Sequence, residues 1–138
     1  MESTDDSNFL HTLGGIPLAF ITWVVIYTLA HVALYLLDTT RGLDGDRLQG
    51  VFRELFTPGL GGYVAIYSVA KYLPKANLNF VAIVYCFPIV SLYLLFSLYM
   101  IIFQGSKYDF SLGEQMLGWG LAIATCAGSF IAIKNINP

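Results

Sequence analysis

Residues 78–103 run for 26 positions without one charged side chain. Such a run has few ways to fold. About 20 apolar residues in a helix cross a hydrocarbon core of about 30 Å, and a bilayer tolerates only segments whose backbone hydrogen bonds close within themselves. Two further charge-free runs satisfy the same arithmetic: 16–37, with 22 residues, and 115–133, with 19. Composition agrees. Only 12% of the 138 residues are charged and 57% are hydrophobic, whereas soluble domains carry roughly a quarter charged residues. A chain this short is mostly surface when folded in water, and seven Lys+Arg with nine Asp+Glu cannot cover that surface. The same numbers exclude a collagen, a coiled coil, a disordered tail and a disulfide framework. With a net charge of −2 and no basic cluster, nucleic acid is excluded as a partner. The lipid bilayer is the expected one.

The segments between these runs are harder to place. Residues 1–15 are polar and acidic, without a Lys or Arg, so the basic region of a secretory signal is missing and the first run is expected to be retained. Pro17 then falls in a first helical turn, where its missing N–H is harmless. Within 38–57, Leu48, Val51, Phe52, Leu55 and Phe56 recur at helical spacing, and Asp46, Arg47, Gln49, Arg53 and Glu54 fill the opposite face. This pattern predicts an amphipathic interfacial helix at about 44–57, ended by Thr57-Pro58-Gly59. Residues 59–73 begin with Gly59, Gly61 and Gly62, and their charge-free part, 59–70, is only 12 residues long. That length suits a re-entrant segment; a full crossing requires Lys71 to snorkel. Pro88 predicts a kink in the long run.

The expected architecture is all-α: a single polytopic membrane domain, 1–138, built as a helical bundle. Four transmembrane helices at about 16–37, 59–73, 78–103 and 115–133 are expected, or three with a re-entrant segment at 59–73. Two rules disagree about that choice. Four spans leave Lys71, Lys75 and Lys134 on one side and Arg41, Arg47, Arg53 and Lys107 on the other, which fixes no orientation. Three spans leave Lys107 alone against the other six, the asymmetry of the positive-inside rule. The short 74–77 connection nevertheless reads as a helical hairpin, which favours four spans.

Chemistry-bearing patterns are sparse. Gly120, Ala124, Gly128 and Ala132 recur every four residues, with Gly118 and Ala122 beside them. Small residues on one face let another helix approach closely, so this is an expected packing interface, inside the chain or between subunits. Tyr27, His31 and Tyr35 share a face with Trp23, and Asp38 follows seven residues after His31. These form a possible intramembrane polar site, since an ionisable group is costly in a span unless it is used or hydrogen-bonded. Cys86 and Cys126 fall at similar depths in their runs, most simply as small buried hydrophobes. Tyr85, Ser91, Tyr93, Ser97 and Tyr99, and the Tyr63/Tyr67/Lys71 file, bring hydroxyls to several faces. Arg41, Arg47, Arg53 and Lys71 are possible headgroup contacts. Asp44-Gly45-Asp46 lacks the spacing of a calcium loop, and no phosphate loop, dinucleotide fingerprint, nucleophile elbow or zinc motif is present. No catalytic residues and no metal ligands emerge, and the cofactor is unknown.

Three functions fit this frame. The first is a structural, assembly or accessory subunit of a larger membrane complex, with other membrane subunits as partners and a hetero-complex favoured over a homo-oligomer. The alternative is a homo-oligomeric small channel or transporter whose path runs between copies. The third is an intramembrane redox or catalytic protein using His31; an enzyme is the lesser expectation. The charge counts fit a bacterial inner membrane, with an organellar membrane as the alternative.

Overall fold

A computed structural model describes residues 2–40, 47–103 and 112–138; side chains are described for 6–37, 55–103 and 119–138. These residues form four helices and no strand: α1 Glu2–Thr40, α2 Arg47–Tyr72, α3 Leu78–Phe103 and α4 Leu112–Ile136. Three of them (α1, α3 and α4) contain stretches long and apolar enough to cross a membrane. Among the described residues α2 does not meet that standard, because its glycines, Pro58, tyrosines and charged residues keep its mean hydropathy low.

The structure differs from the sequence reading in two places. Helix α1 does not begin near residue 16 but at Glu2, and its 39 residues extend about 58 Å at 1.5 Å per residue. The polar tail is helical because it has something to lean on. Gly15 is buried against Val69 and Val81, Gly14 lies beside Leu73, and Thr12 Oγ1 accepts the Asn77 backbone N–H at 2.9 Å. Pro17 therefore sits well inside the helix, where its exposed ring forfeits one hydrogen bond on the outer side. Its first-turn placement is corrected accordingly.

The second difference concerns 44–57 and 59–73. These are not an interfacial helix and a separate short element, because α2 runs unbroken through Thr57-Pro58-Gly59 for 26 residues. Residues 44–46 lie outside the described residues. At about 39 Å, α2 is as long as α3. Thr57 and Pro58 are fully buried, and packing against α4 at Gly59 and Gly62 overrides the poor helix propensity of this stretch. Pro88 likewise lies inside an unbroken α3.

The arrangement places the least apolar helix in the middle. Helix α2 packs on α1, α3 and α4, α3 bridges α1 and α4, and α1 and α4 do not touch among the described residues. Gly15 meets Val69 and Trp23 meets Gly61, so α1 and α2 are antiparallel. Leu55 meets Gly120, Gly59 meets Gly128 and Gly62 meets Ser129, so α2 and α4 are parallel. The 73–77 turn reverses the chain into α3. It is closed by Ala76 N–H donating to Leu73 O and Val81 N–H to Asn77 O. The N-terminal part of α1, this turn and the end of α4 thus share one end of the bundle. The core draws Ala65, Ile66 and Val69 from α2, Val81, Ala82, Tyr85 and Ile89 from α3, and Leu121, Ala132 and Ile133 from α4.

The outer surface is the reverse of a soluble protein's. The most apolar stretch of α1 has no buried residue, and Phe87 and Phe103 are each 71% exposed on α3. Soluble monomers rarely expose apolar patches beyond a few hundred Å²; here α1 and α3 expose apolar side chains along most of their lengths.

Candidate functional site

The small-residue face of α4 is consumed inside the chain. A Cβ added at Gly128 would overlap the carbonyl oxygen of Gly59, and one added at Gly62 would overlap the Thr125 carbonyl. Ala124 also borders Gly59, Ala122 and Ala132 are buried, and half-buried Gly120 faces the tip of the Leu55 side chain. Gly118 is on α4, but its surroundings lie outside the described side chains. The glycines of α2 are therefore its close-approach positions, a role that their poor helix propensity obscures in the sequence. A stripe of small residues on one helix needs a matching stripe on another, and Gly59-x-x-Gly62 supplies it.

A buried polar hub lies beside this crossing. Ser129 is fully buried, and its hydroxyl has one proton, for which the Thr125 carbonyl at 2.8 Å is the near acceptor and the Gly62 carbonyl at 3.4 Å the far one. Tyr85, 1% exposed, must then donate its O–H to Ser129 Oγ, and Cys86 Sγ approaches the same oxygen at 3.9 Å. Thr125 closes locally on Leu121 O at 2.9 Å. Cys126 adjoins Cys86, and both are free thiols. Every one of these hydroxyls has a partner within the bundle, as a dry interior requires. Among the described residues no three His, Cys, Asp or Glu side chains converge as metal ligands. The hub ties α3 to α4. Its spacing across 44 residues leaves no local sequence signal.

The α1 file is partly assembled. Trp23 stacks on Tyr27 with centroids 5.3 Å apart and planes 11° from parallel, and Tyr27 meets His31 at 5.7 Å. Trp23 also presses on Gly61 of α2. His31 is half-buried, and among the described residues its Nδ1, like Trp23 Nε1, has no hydrogen-bond partner. Tyr35 is 55% exposed. The Asp38 side chain and the whole of Arg41 lie outside what is described, as do the side chains of Arg47 and Arg53 on α2. Lys71 is exposed, with its Nζ 5.8 Å from the Tyr72 ring centre.

Above the Trp23 end of this file, α1 and α3 part to leave an open cleft of about 570 Å³. Phe20 and Trp23 form one wall; Ile89, Leu92, Tyr93 and Phe96 form the other. Its surroundings are aromatic and aliphatic, and the described parts of both helices carry no charged side chain at this level. No family model, curated protein or solved structure matches the chain. Function has to be argued from this geometry.

Proposed function

We propose that the chain is a multi-pass integral membrane protein that serves as a structural or accessory subunit of a larger membrane complex. The observation that carries this reading is the contrast between a closed interior and an unfilled lateral face. The hydroxyls of Tyr85, Thr125 and Ser129 satisfy one another or nearby carbonyls, so among the described residues the fully buried hydroxyls are all spent within the core. The α1–α3 cleft, by contrast, is open, apolar and aromatic, the composition of an interface centre. Because the small-residue face of α4 is occupied by α2, the seat for a partner helix is assigned to α1 and α3.

Extraction from native membranes in a mild detergent, native sizing and mass spectrometry of co-migrating proteins test this reading. Different proteins at fixed stoichiometry are expected. A discrete particle of this chain alone would overturn the reading and leave a homo-oligomeric channel or transporter, to be examined by flux from reconstituted vesicles. The cleft gives a sharper arm. Leu92 is 64% exposed at its rim, so Leu92→Trp should fill the cleft without disturbing the core. The partner should be lost by on the order of 30-fold, the scale of an interface hot spot near 2 kcal/mol. Ile123→Trp, on the 65% exposed face of α4, should leave the complex intact.

A further inference from the structure

The bundle end formed by α1 and the 73–77 turn holds a second cleft, of about 490 Å³ and different character. Its polar side consists of Asn8 and Thr12 from α1 with Lys75 and Asn77 from the turn; its apolar side is Phe9, Leu13 and Phe80. Thr12 is spent on structure, donating to Asn8 O at 2.8 Å and accepting from Asn77 N–H. Asn77 Oδ1 is also spent, capping Phe80 N–H at 3.2 Å. Lys75 is not. Among the described residues its ammonium has one partner, a long 3.4 Å bond to the neutral Ser7 hydroxyl, and no carboxylate pairs with it.

Depth and composition together identify what belongs there. This inference rests on the membrane reading above. If α2 and α3 lie within a bilayer, the turn joining them sits at the headgroup layer, and the Thr12–Asn77 bond sets this part of α1 at the same level. Phe9 is 66%, Leu13 53% and Phe80 51% exposed there, beside an ammonium. A surface that is cationic at its rim and apolar below matches a molecule that is anionic at one end and apolar at the other. Lys71 and Lys134 lie at the same end of the bundle but do not line the cleft. Glu2, Asp5 and Asp6 on the first turns of α1 offset the overall charge of this end. Any attraction must therefore be local to Lys75 rather than a long-range field.

We propose that the cleft between α1 and the 73–77 turn is a specific site for an anionic glycerophospholipid, whose phosphodiester pairs with Lys75 while its acyl stem packs on Phe9, Leu13 and Phe80. Asn8 and Asn77 line the same cleft as Lys75, and their side-chain amides supply neutral donors to the same phosphate.

The test reconstitutes the full chain in vesicles containing equal amounts of phosphatidylglycerol and phosphatidylcholine. The protein is then released for native mass spectrometry, which counts the lipids retained. Phosphatidylglycerol should be retained about fivefold over phosphatidylcholine, the effect of one lysine near a charged surface. Lys75→Gln should abolish the preference, Lys75→Arg should keep it, and Lys71→Gln should leave it unchanged. Equal retention of the two lipids by the native chain overturns the proposal, as does an undiminished preference in Lys75→Gln. Displacement of phosphatidylglycerol by millimolar inorganic phosphate would also overturn it, since the site would then take free phosphate. Failure of the chain to co-float with vesicles would instead sink the membrane reading itself.

Discussion

Gly128→Leu is expected to separate α2 from α4 and to cost at least about 3 kcal/mol, the upper range for overpacking a closed interior. The reason is that the obstruction is backbone. A side chain at Gly128 runs into the Gly59 carbonyl and Cα, which no rotamer change can move aside. Gly62→Ala should behave similarly, because its Cβ would strike the Thr125 carbonyl and come within 2.9 Å of Ser129 Oγ. Two other glycines on the same pair of helices should be forgiving. At Gly120 the obstruction is Leu55 Cδ2 at 2.7 Å, the far end of a flexible side chain, and at Gly59 the nearest atom is Ala124 O at 3.4 Å. Alanine at either should cost under about 1 kcal/mol, and Ala127→Leu on the exposed side of α4 should be near neutral. Gly62→Ala combined with Gly128→Leu should cost less than the sum, since helices already forced apart have nothing further to lose. Reversible unfolding in mixed detergent ranks the series. Native stability in Gly128→Leu would mean that α2 and α4 do not cross there.

This ranking explains which parts of the chain were legible in advance. Long charge-free runs announce helices, and the small residues of α4 announce a close approach, because both are periodic within one segment. What the sequence concealed is non-local. Pro58 and the glycines of α2 read as breakers by propensity, yet their neighbours on α4 turn the same absence of side chains into packing surface. The N-terminal residues read only as a polar, acidic tail because the residues that hold them, Leu73, Asn77 and Val81, lie about 60 positions away. The aromatic file is visible as i, i+4 spacing, and Trp23, Tyr27 and His31 do meet. Nothing in that spacing says that α3 stands off to leave a cleft beside it. In the sequence Lys75 reads only as a charge in a turn, since its setting depends on α1 reaching beyond its apolar run.

Ser129→Ala should destabilise the chain by about 2 kcal/mol and Tyr85→Phe by about half as much, an asymmetry that follows from which atom is stranded. Removing the serine hydroxyl leaves the Tyr85 phenol, 1% exposed, with a proton and only the weakly accepting Cys86 sulfur beside it, close to the costly case of an unsatisfied buried donor. Removing the phenol oxygen deletes donor and bond together. Ser129 keeps its bond to Thr125 O at 2.8 Å, so the loss is that of one interhelical hydrogen bond in a membrane interior, near 0.6 and at most about 1.7 kcal/mol. Tyr85→Phe with Ser129→Ala should then be no worse than Ser129→Ala alone, because the second change removes the stranded group. Unfolding free energies of the native chain and the three variants in one detergent system give the coupling directly. The outcome also bears on function. If Ser129→Ala proves as mild as Tyr85→Phe, either the Cys86 sulfur or water takes the phenol proton, and Ser129→Ala repeated with Cys86→Ala separates the two. A wet interior would supply the polar path that an accessory subunit does not need and a channel does. A full penalty at Ser129 is the result expected of a bundle that works through its outer faces.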